Sequence, residues 1–227
     1  MRATPSDYPA RTRYDAAKVR RLQERYREDR PLRHRAEMRM VRRALACIPK
    51  GHRILDVPCG WGRVSVELAC AGYQVTAADL SEPMLLAARE FFAQQQISCH
   101  VEKQDIEKLS YADGSFDAVL CFRFFHHLPY RGLRRRVVHE LCRVADRFVL
   151  LSYLNPTSVA VVQRRLRARI AGVRPPKHYT PLAEVAGYFR RAGFRLVADF
   201  ALLRYLASLH LALFESERKV AAVSPTR

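Results

Sequence analysis

The stretch ILDVPCGWGRVSVELACAGYQVTAADLS, residues 54–81, decides how the chain is read. RILDV at 53–57 is short, apolar and β-branched, as a buried strand is. RVSVELACAG at 63–72 has helical spacing and stops on Gly72, and QVTAADL at 74–80 reads as a second strand. Between the first strand and the helix lies a tight turn, Pro58-Cys59-Gly60-Trp61-Gly62. In open α/β sheets, ligands bind outside the carboxyl ends of the strands, and such a turn sits there. Gly60 and Gly62 remove side chains where a ligand must approach the backbone closely. Gly62 is followed by Arg63-Val64-Ser65, so the third glycine of a dinucleotide fingerprint is missing, and no Walker lysine is present.

Two acids extend the pattern. Asp79 ends the second strand, where a carboxylate can accept hydrogen bonds from both hydroxyls of a ribose. Ser81 is read as the N-cap of the helix that follows, EPMLLAAREFFAQQ at 82–95, with Pro83 in its first turn. Asp105, in KQDIEKL, follows a third strand (SCHVEKQD, 98–105), where a carboxylate beside a backbone N–H can take up an adenine amine. A fourth strand, FDAVLCF at 116–122, leads into Arg123 and then His126-His127. A helix (131–145) and a fifth strand, RFVLLSYL at 147–154, follow. Strand–helix alternation with crossovers of this length predicts a parallel sheet with helices on both faces.

Outside this block the pattern differs. Residues 12–29 and 33–47 read as two basic helices broken at Pro31, and residues 1–50 are taken as a helical cap on a domain spanning 51–227. After the fifth strand, residues 156–177 form an insert with a basic helix, SVAVVQRRLRARIAG, before Pro175-Pro176. TPLAEVAGYFRRAG is a further helix with Thr180 as N-cap, FRLVADFAL and LHLALFE are two closing strands, and the last ten residues read as frayed.

Of 227 residues, 49% are apolar, as in an ordinary globular protein, and no stretch is long and apolar enough for a membrane span. The start of the chain lacks the apolar core of a signal peptide, although its arginines suit an amphipathic presequence; a cytoplasmic enzyme, in places resting on a membrane surface, is expected. Six cysteines show neither CxxC nor Cys/His spacing for zinc, so they read as buried small hydrophobes and no metal site is expected. The formal net charge is +18, with the excess of basic residues in 1–53 and 123–227 and an excess of acids in 54–122. Basic flanks favour anionic partners, whether nucleic acid, anionic lipid or an acidic substrate.

With these motifs in order, the sequence resembles the class I S-adenosylmethionine-dependent methyltransferases from about Ile54 to Leu151. The resemblance implies a Rossmann-like α/β fold of seven mostly parallel strands, the last antiparallel, and S-adenosylmethionine as cofactor. It implies cofactor contacts from Asp56, Pro58, Cys59, Gly60, Gly62 and Arg63 in LDVPCGWGR, from Asp79, Leu80 and Met84 around AADLS, from Asp105 and Ile106, and from Phe122 and Arg123. Pro58 departs from the family loop, whose first glycine it replaces, and VADRFVLLSY replaces the usual Pro-Gly-Gly before the fifth strand. An activated methyl needs mainly a positioned acceptor, and a protic acceptor also gains from a general base. His126, His127, His178 and Tyr153 are the candidates, and Tyr14 is a candidate lid over the cofactor. The expected acceptor is a small or lipid-like molecule methylated on O, N or C, with peripheral contact to anionic membrane as one arrangement. A nucleic-acid methyltransferase is the alternative that the charge suggests, although CFRFFHHL replaces the Asn/Asp-Pro-Pro-Tyr/Phe motif of nucleobase amino methylators. A methyltransferase-like binding protein without catalysis is the third reading, motivated by Pro58.

Overall fold

The structure is a computed structural model that describes residue 8 and residues 14–28, 31–170, 178–201 and 208–219. The last part of the predicted insert (171–177), the ends of the chain and the segment 202–207 lie outside the described residues. In chain order the elements are α1 (Ala16–Glu28), α2 (Pro31–Leu45), β1 (Arg53–Asp56), α3 (Arg63–Cys70), β2 (Gln74–Asp79), α4 (Glu82–Gln94) and β3 (His100–Lys103). They continue as β4 (Phe116–Cys121), a 3₁₀ turn (Phe125–His127), α5 (Arg131–Val144), β5 (Ala145–Leu154), α6 (Val159–Ile170), α7 (Leu182–Arg191), β6 (Phe194–Ala201) and β7 (Leu209–Ser216).

The strands form one sheet in the order β3-β2-β1-β4-β5-β7-β6. The first five are parallel, and β7 runs antiparallel between β5 and β6. The chain winds outward from β1 to β3 and then returns to place β4 on the other side of β1. The order therefore reverses between β1 and β4, which opens a crevice at their carboxyl ends.

Strand residues alternate between the two faces, as the period of two requires. Leu55, Val119, Cys121, Val149 and Leu151 pack with Leu133, Val137 and Leu141 of α5 and with Val185 and Phe189 of α7. Ile54, Ala118, Leu120, Phe148 and Leu150 pack on the opposite face with Met38, Val41 and Leu45 of α2 and Leu68 of α3. The α2 residues share a core with β1, so this basic helix is joined to the sheet through apolar side chains at helical spacing.

Local readings differ in four places. Pro31 is the first residue of α2, where its missing N–H costs nothing. Ser81 sits at the N-cap of α4, but its side chain makes no cap hydrogen bond; its hydroxyl donates to the Tyr14 carbonyl instead (3.3 Å). Thr180 does not cap α7 either, since Pro181 holds the N-cap position and the Thr180 hydroxyl is buried without a hydrogen-bond partner. Of the six cysteines, Cys59, Cys121 and Cys142 are buried, but Cys47 and Cys70 are exposed, because helix and turn geometry put them on the solvent side.

Candidate active site

A cleft of about 810 Å³ opens at the β1/β4 switch point. Its floor is built from strand tips. Asp56 ends β1 and is 1% exposed. The Ser65 hydroxyl donates to its Oδ2 (2.7 Å), while Oδ1 is buried without a hydrogen-bond partner. Burial pushes the Asp56 carboxyl up to about 7, against the pull of Ser65 and Arg63. An acceptor atom left this way in a polar crevice is a site that a ligand cation or donor can satisfy.

Asp79 ends β2 and lines the same cleft. The backbone N–H of Gly60 donates to its Oδ2 and that of Ser81 to its Oδ1, both at 2.9 Å. The carboxylate thus ties the turn after β1 to the turn after β2. Burial raises its pKa, and the backbone donors only partly offset this. Asp105 lies beyond β3 in a turn closed by the Glu107 N–H on its Oδ1 (3.0 Å), and it lines the cleft with Ile106. The two acids face one space.

The glycines of the turn divide their work. A Cβ on Gly60 (φ +57°) would meet nothing within 4 Å, so its backbone is bare toward open space. A Cβ on Gly62 (φ +84°) would lie 2.5 Å from the Phe92 ring, and Gly62 does not line the cleft. Its expected place among the ligand contacts is corrected: it is the residue that lets α4 pack against the start of α3. The Val57–Pro58 peptide is cis, and Pro58 and Cys59 line the cleft. Burial raises the Cys59 thiol pKa well above the ordinary range.

The predicted Arg63, Leu80, Met84, Phe122 and Arg123 all line the cleft. Arg123 has φ +59°, unusual for a residue with a side chain, and its backbone N–H donates to the Ser152 hydroxyl. Its guanidinium donates to Glu37 Oε1 (2.6 Å), and Arg63 donates to Glu37 Oε2 (2.7 Å). Arg63 also lies over the Tyr26 and Phe122 rings. Glu37 is 1% exposed and accepts from Arg33 as well. Burial alone would raise its pKa, but Arg63 and Arg123 outweigh this and hold it below the usual carboxylate range. Glu37 was not singled out from the sequence. The only sign there is one acid in a helix otherwise charged with arginine and histidine.

His126 and His127 line the cleft wall, with ring centroids 4.2 Å apart. His178 does not line it; its backbone N–H donates to the His126 carbonyl (3.0 Å), and burial lowers its pKa. Tyr153 is fully buried in the core. Its hydroxyl is held by both Asp199 oxygens (3.1 Å), and burial followed by Asp199 raises its pKa. It does not line the cleft and is removed from the candidate bases. One residue earlier in β5, Ser152 faces toward Arg123, and the alternation of the strand sends Tyr153 the other way.

The roof is α1. The backbone carbonyl of Tyr14, two residues before the helix, accepts from Ser81, and Tyr26, near its end, packs edge-on to Trp61 (6.1 Å between centroids). Val19 is buried with Met84 and Ala87 of α4. Lys18, Arg21, Leu22 and Arg25 line the cleft from this helix. No helix among the described residues is long and apolar enough to cross a membrane.

Comparison with known proteins agrees with this geometry. A family described as "Methyltransferase domain" matches residues 54–147. The ubiquinone biosynthesis O-methyltransferase of Xanthomonas axonopodis pv. citri is 34% identical over 155 residues, covering 65% of this chain and 64% of that protein. Its counterpart in Xanthomonas euvesicatoria pv. vesicatoria is 33% identical over 153 residues, with 64% of each covered. The chain thus spans 64% of the length of these curated relatives. Among solved structures, magnesium protoporphyrin IX methyltransferase from Synechocystis PCC 6803 superposes with a TM-score of 0.74 at 19% identity, covering 91% of this chain and 98% of that one.

Proposed function

We propose that the chain is a class I S-adenosylmethionine-dependent methyltransferase, as the matched methyltransferase domain and the curated relatives support, and that it transfers a methyl group to a small-molecule acceptor in the cleft between α1 and the strand tips. The observation that carries this reading is the floor of the cleft: Asp79 and Asp105 facing one space beside the bare backbone of Gly60, with the orphaned Oδ1 of Asp56 at their side. These groups fit the cofactor. Asp79 would accept from the ribose hydroxyls, Asp105 from the adenine amine, and Asp56 from the ammonium of the methionine part, while Leu80, Met84 and Ile106 would supply apolar contact. The cofactor supplies a methyl group already activated by its sulfonium. The chain's part is then to hold the acceptor in line and to keep water out.

Where the acceptor is a hydroxyl, its proton passes to an imidazole of the His126–His127 pair at the cleft wall. The names of the curated relatives favour such O-methylation. A cleft covered by a helix suits a small acceptor better than a duplex. Titration calorimetry with S-adenosylhomocysteine tests the proposal. Saturable binding to one site per chain is expected, and no measurable binding at millimolar ligand overturns it.

A further inference from the structure

One wall of the cleft depends on a bend in the chain after β4. The ladder between β4 and β5 ends at the pair Cys121–Leu151, although β5 runs on to Leu154. The edge of β5 left open there is taken by a later segment, whose Thr180 N–H donates to the Leu154 carbonyl (2.9 Å). The chain that follows β4 must therefore leave the sheet, and it bends away at Arg123. The φ of +59° at this bend costs energy for any residue that carries a Cβ. The bend brings Arg123, Phe124, His126 and His127 onto the cleft wall beside Phe122.

Two contacts hold Arg123 in this conformation. Its guanidinium donates to Glu37 Oε1 (2.6 Å), and its backbone N–H donates to the Ser152 hydroxyl. Ser152 is fully buried in an apolar stretch of β5 and does not line the cleft. Strand alternation puts it on the face of Leu150 and Leu154, which pack in one cluster with Phe122. A buried hydroxyl on such a face adds little to packing, and it touches no ligand from there. Its oxygen serves the bend. Resting on the methyltransferase reading above, we infer that Ser152 is a positioning residue: by accepting the Arg123 N–H it keeps the turn after β4 in the left-handed conformation that presents residues 122–127 to the cleft. Without that acceptor the strain at Arg123 loses its compensation. Apparent ligand affinity then falls with the fraction of chains that keep the turn.

The test combines residue-resolved amide hydrogen exchange on the unliganded full chain with calorimetry using S-adenosylhomocysteine. In Ser152→Ala the Arg123 amide exchanges at least about tenfold faster, while the ladder amides of β4 and β5 keep their protection. The same variant raises the S-adenosylhomocysteine Kd by about tenfold. Glycine takes a positive φ unaided, so adding Ser152→Ala to Arg123→Gly changes the Kd by about twofold or less relative to Arg123→Gly alone. An Arg123 amide unmoved by Ser152→Ala, or a Kd within about twofold of the unaltered chain, overturns the inference. A loss of protection throughout β4 and β5, or an equal loss of affinity in the arginine and glycine backgrounds, also overturns it, since the hydroxyl then acts through the core and not through the turn. Failure of the unaltered chain to bind S-adenosylhomocysteine overturns the methyltransferase reading itself, while exchange at Arg123 still reads the Ser152 contact.

Discussion

The floor and the roof of the cleft are built on different principles. The floor comes from turns that follow successive strands, and each acid is held by donors a few residues away or one strand over: Ser65 on Asp56, Gly60 and Ser81 on Asp79, Glu107 on Asp105. The roof is held by contacts remote in sequence. Glu37 reaches Arg63 across 26 positions and Arg123 across 86, and Ser81 reaches Tyr14 across 67. The floor is thus preformed by the sheet, while the N-terminal helices are held by apolar packing of α2 on the sheet and of Val19 on α4, with the buried Glu37 carboxylate and a few ring contacts added at the cleft. A substitution in the floor should act on ligand affinity first, and one in the roof clamp on stability first.

The largest effect expected is that of Glu37→Gln. It leaves Arg63 and Arg123 without their buried counter-charge and should cost about 3–5 kcal/mol in denaturant unfolding, with hydrogen exchange accelerated in residues 31–45. A loss below about 1 kcal/mol would remove the clamp from the account. Next is Asp79→Asn, which weakens charge-assisted bonds from ligand hydroxyls at about 1.5–3 kcal/mol each. Calorimetry should show the S-adenosylhomocysteine Kd raised about 10²-fold; an unchanged Kd would break the assignment of the floor to a nucleoside.

The two glycines sharpen the contrast within a single turn. Gly62→Ala pushes a methyl group into the Phe92 ring and should cost about 2 kcal/mol in thermal unfolding. Gly60→Ala adds a methyl group to open space and should cost about 1 kcal/mol or less, with its main effect on ligand affinity. The reverse order would show that Gly60 is the packing glycine.

A further effect concerns pH. Burial raises the Asp56 carboxyl to about 7, so the free folded protein binds this proton more tightly than the unfolded chain does. Asp56 therefore lowers the stability of the free protein progressively as pH rises from about 4 to about 7. Ligand binding runs the other way, because the ligand ammonium requires the ionised carboxylate. S-adenosylhomocysteine should bind about tenfold tighter at pH 8 than at pH 6, with proton release detectable by calorimetry in buffers of different ionisation heat. Asp56→Asn should flatten both slopes.

Much of the floor was legible in the sequence, because strand periodicity, a glycine turn and acids at strand ends are local signals. Asp56, Gly60, Asp79 and Asp105 were all singled out from the sequence, and all line one cleft. The misreadings share a cause. Gly62 and Gly60 look alike in sequence, and only the approach of Phe92 from α4 separates them. Tyr153 stands near the end of a strand as a site residue would, but the alternation of β5 turns it into the core, where its hydroxyl meets Asp199 of β6. Ser81 has the type and position of a cap, yet its hydroxyl turns to Tyr14, a partner that exists only once α1 is docked.

The sequence by itself determined the winding of the sheet and the acids at its tips, because hydrophobic period and turn chemistry act between near neighbours. Only the tertiary structure decided what covers those acids. The Glu37 clamp exists only when α2 meets the turns after β1 and β4; helical spacing marks the apolar face of α2 that turns inward, but which arginines its one acid meets depends on residues 26 and 86 positions away.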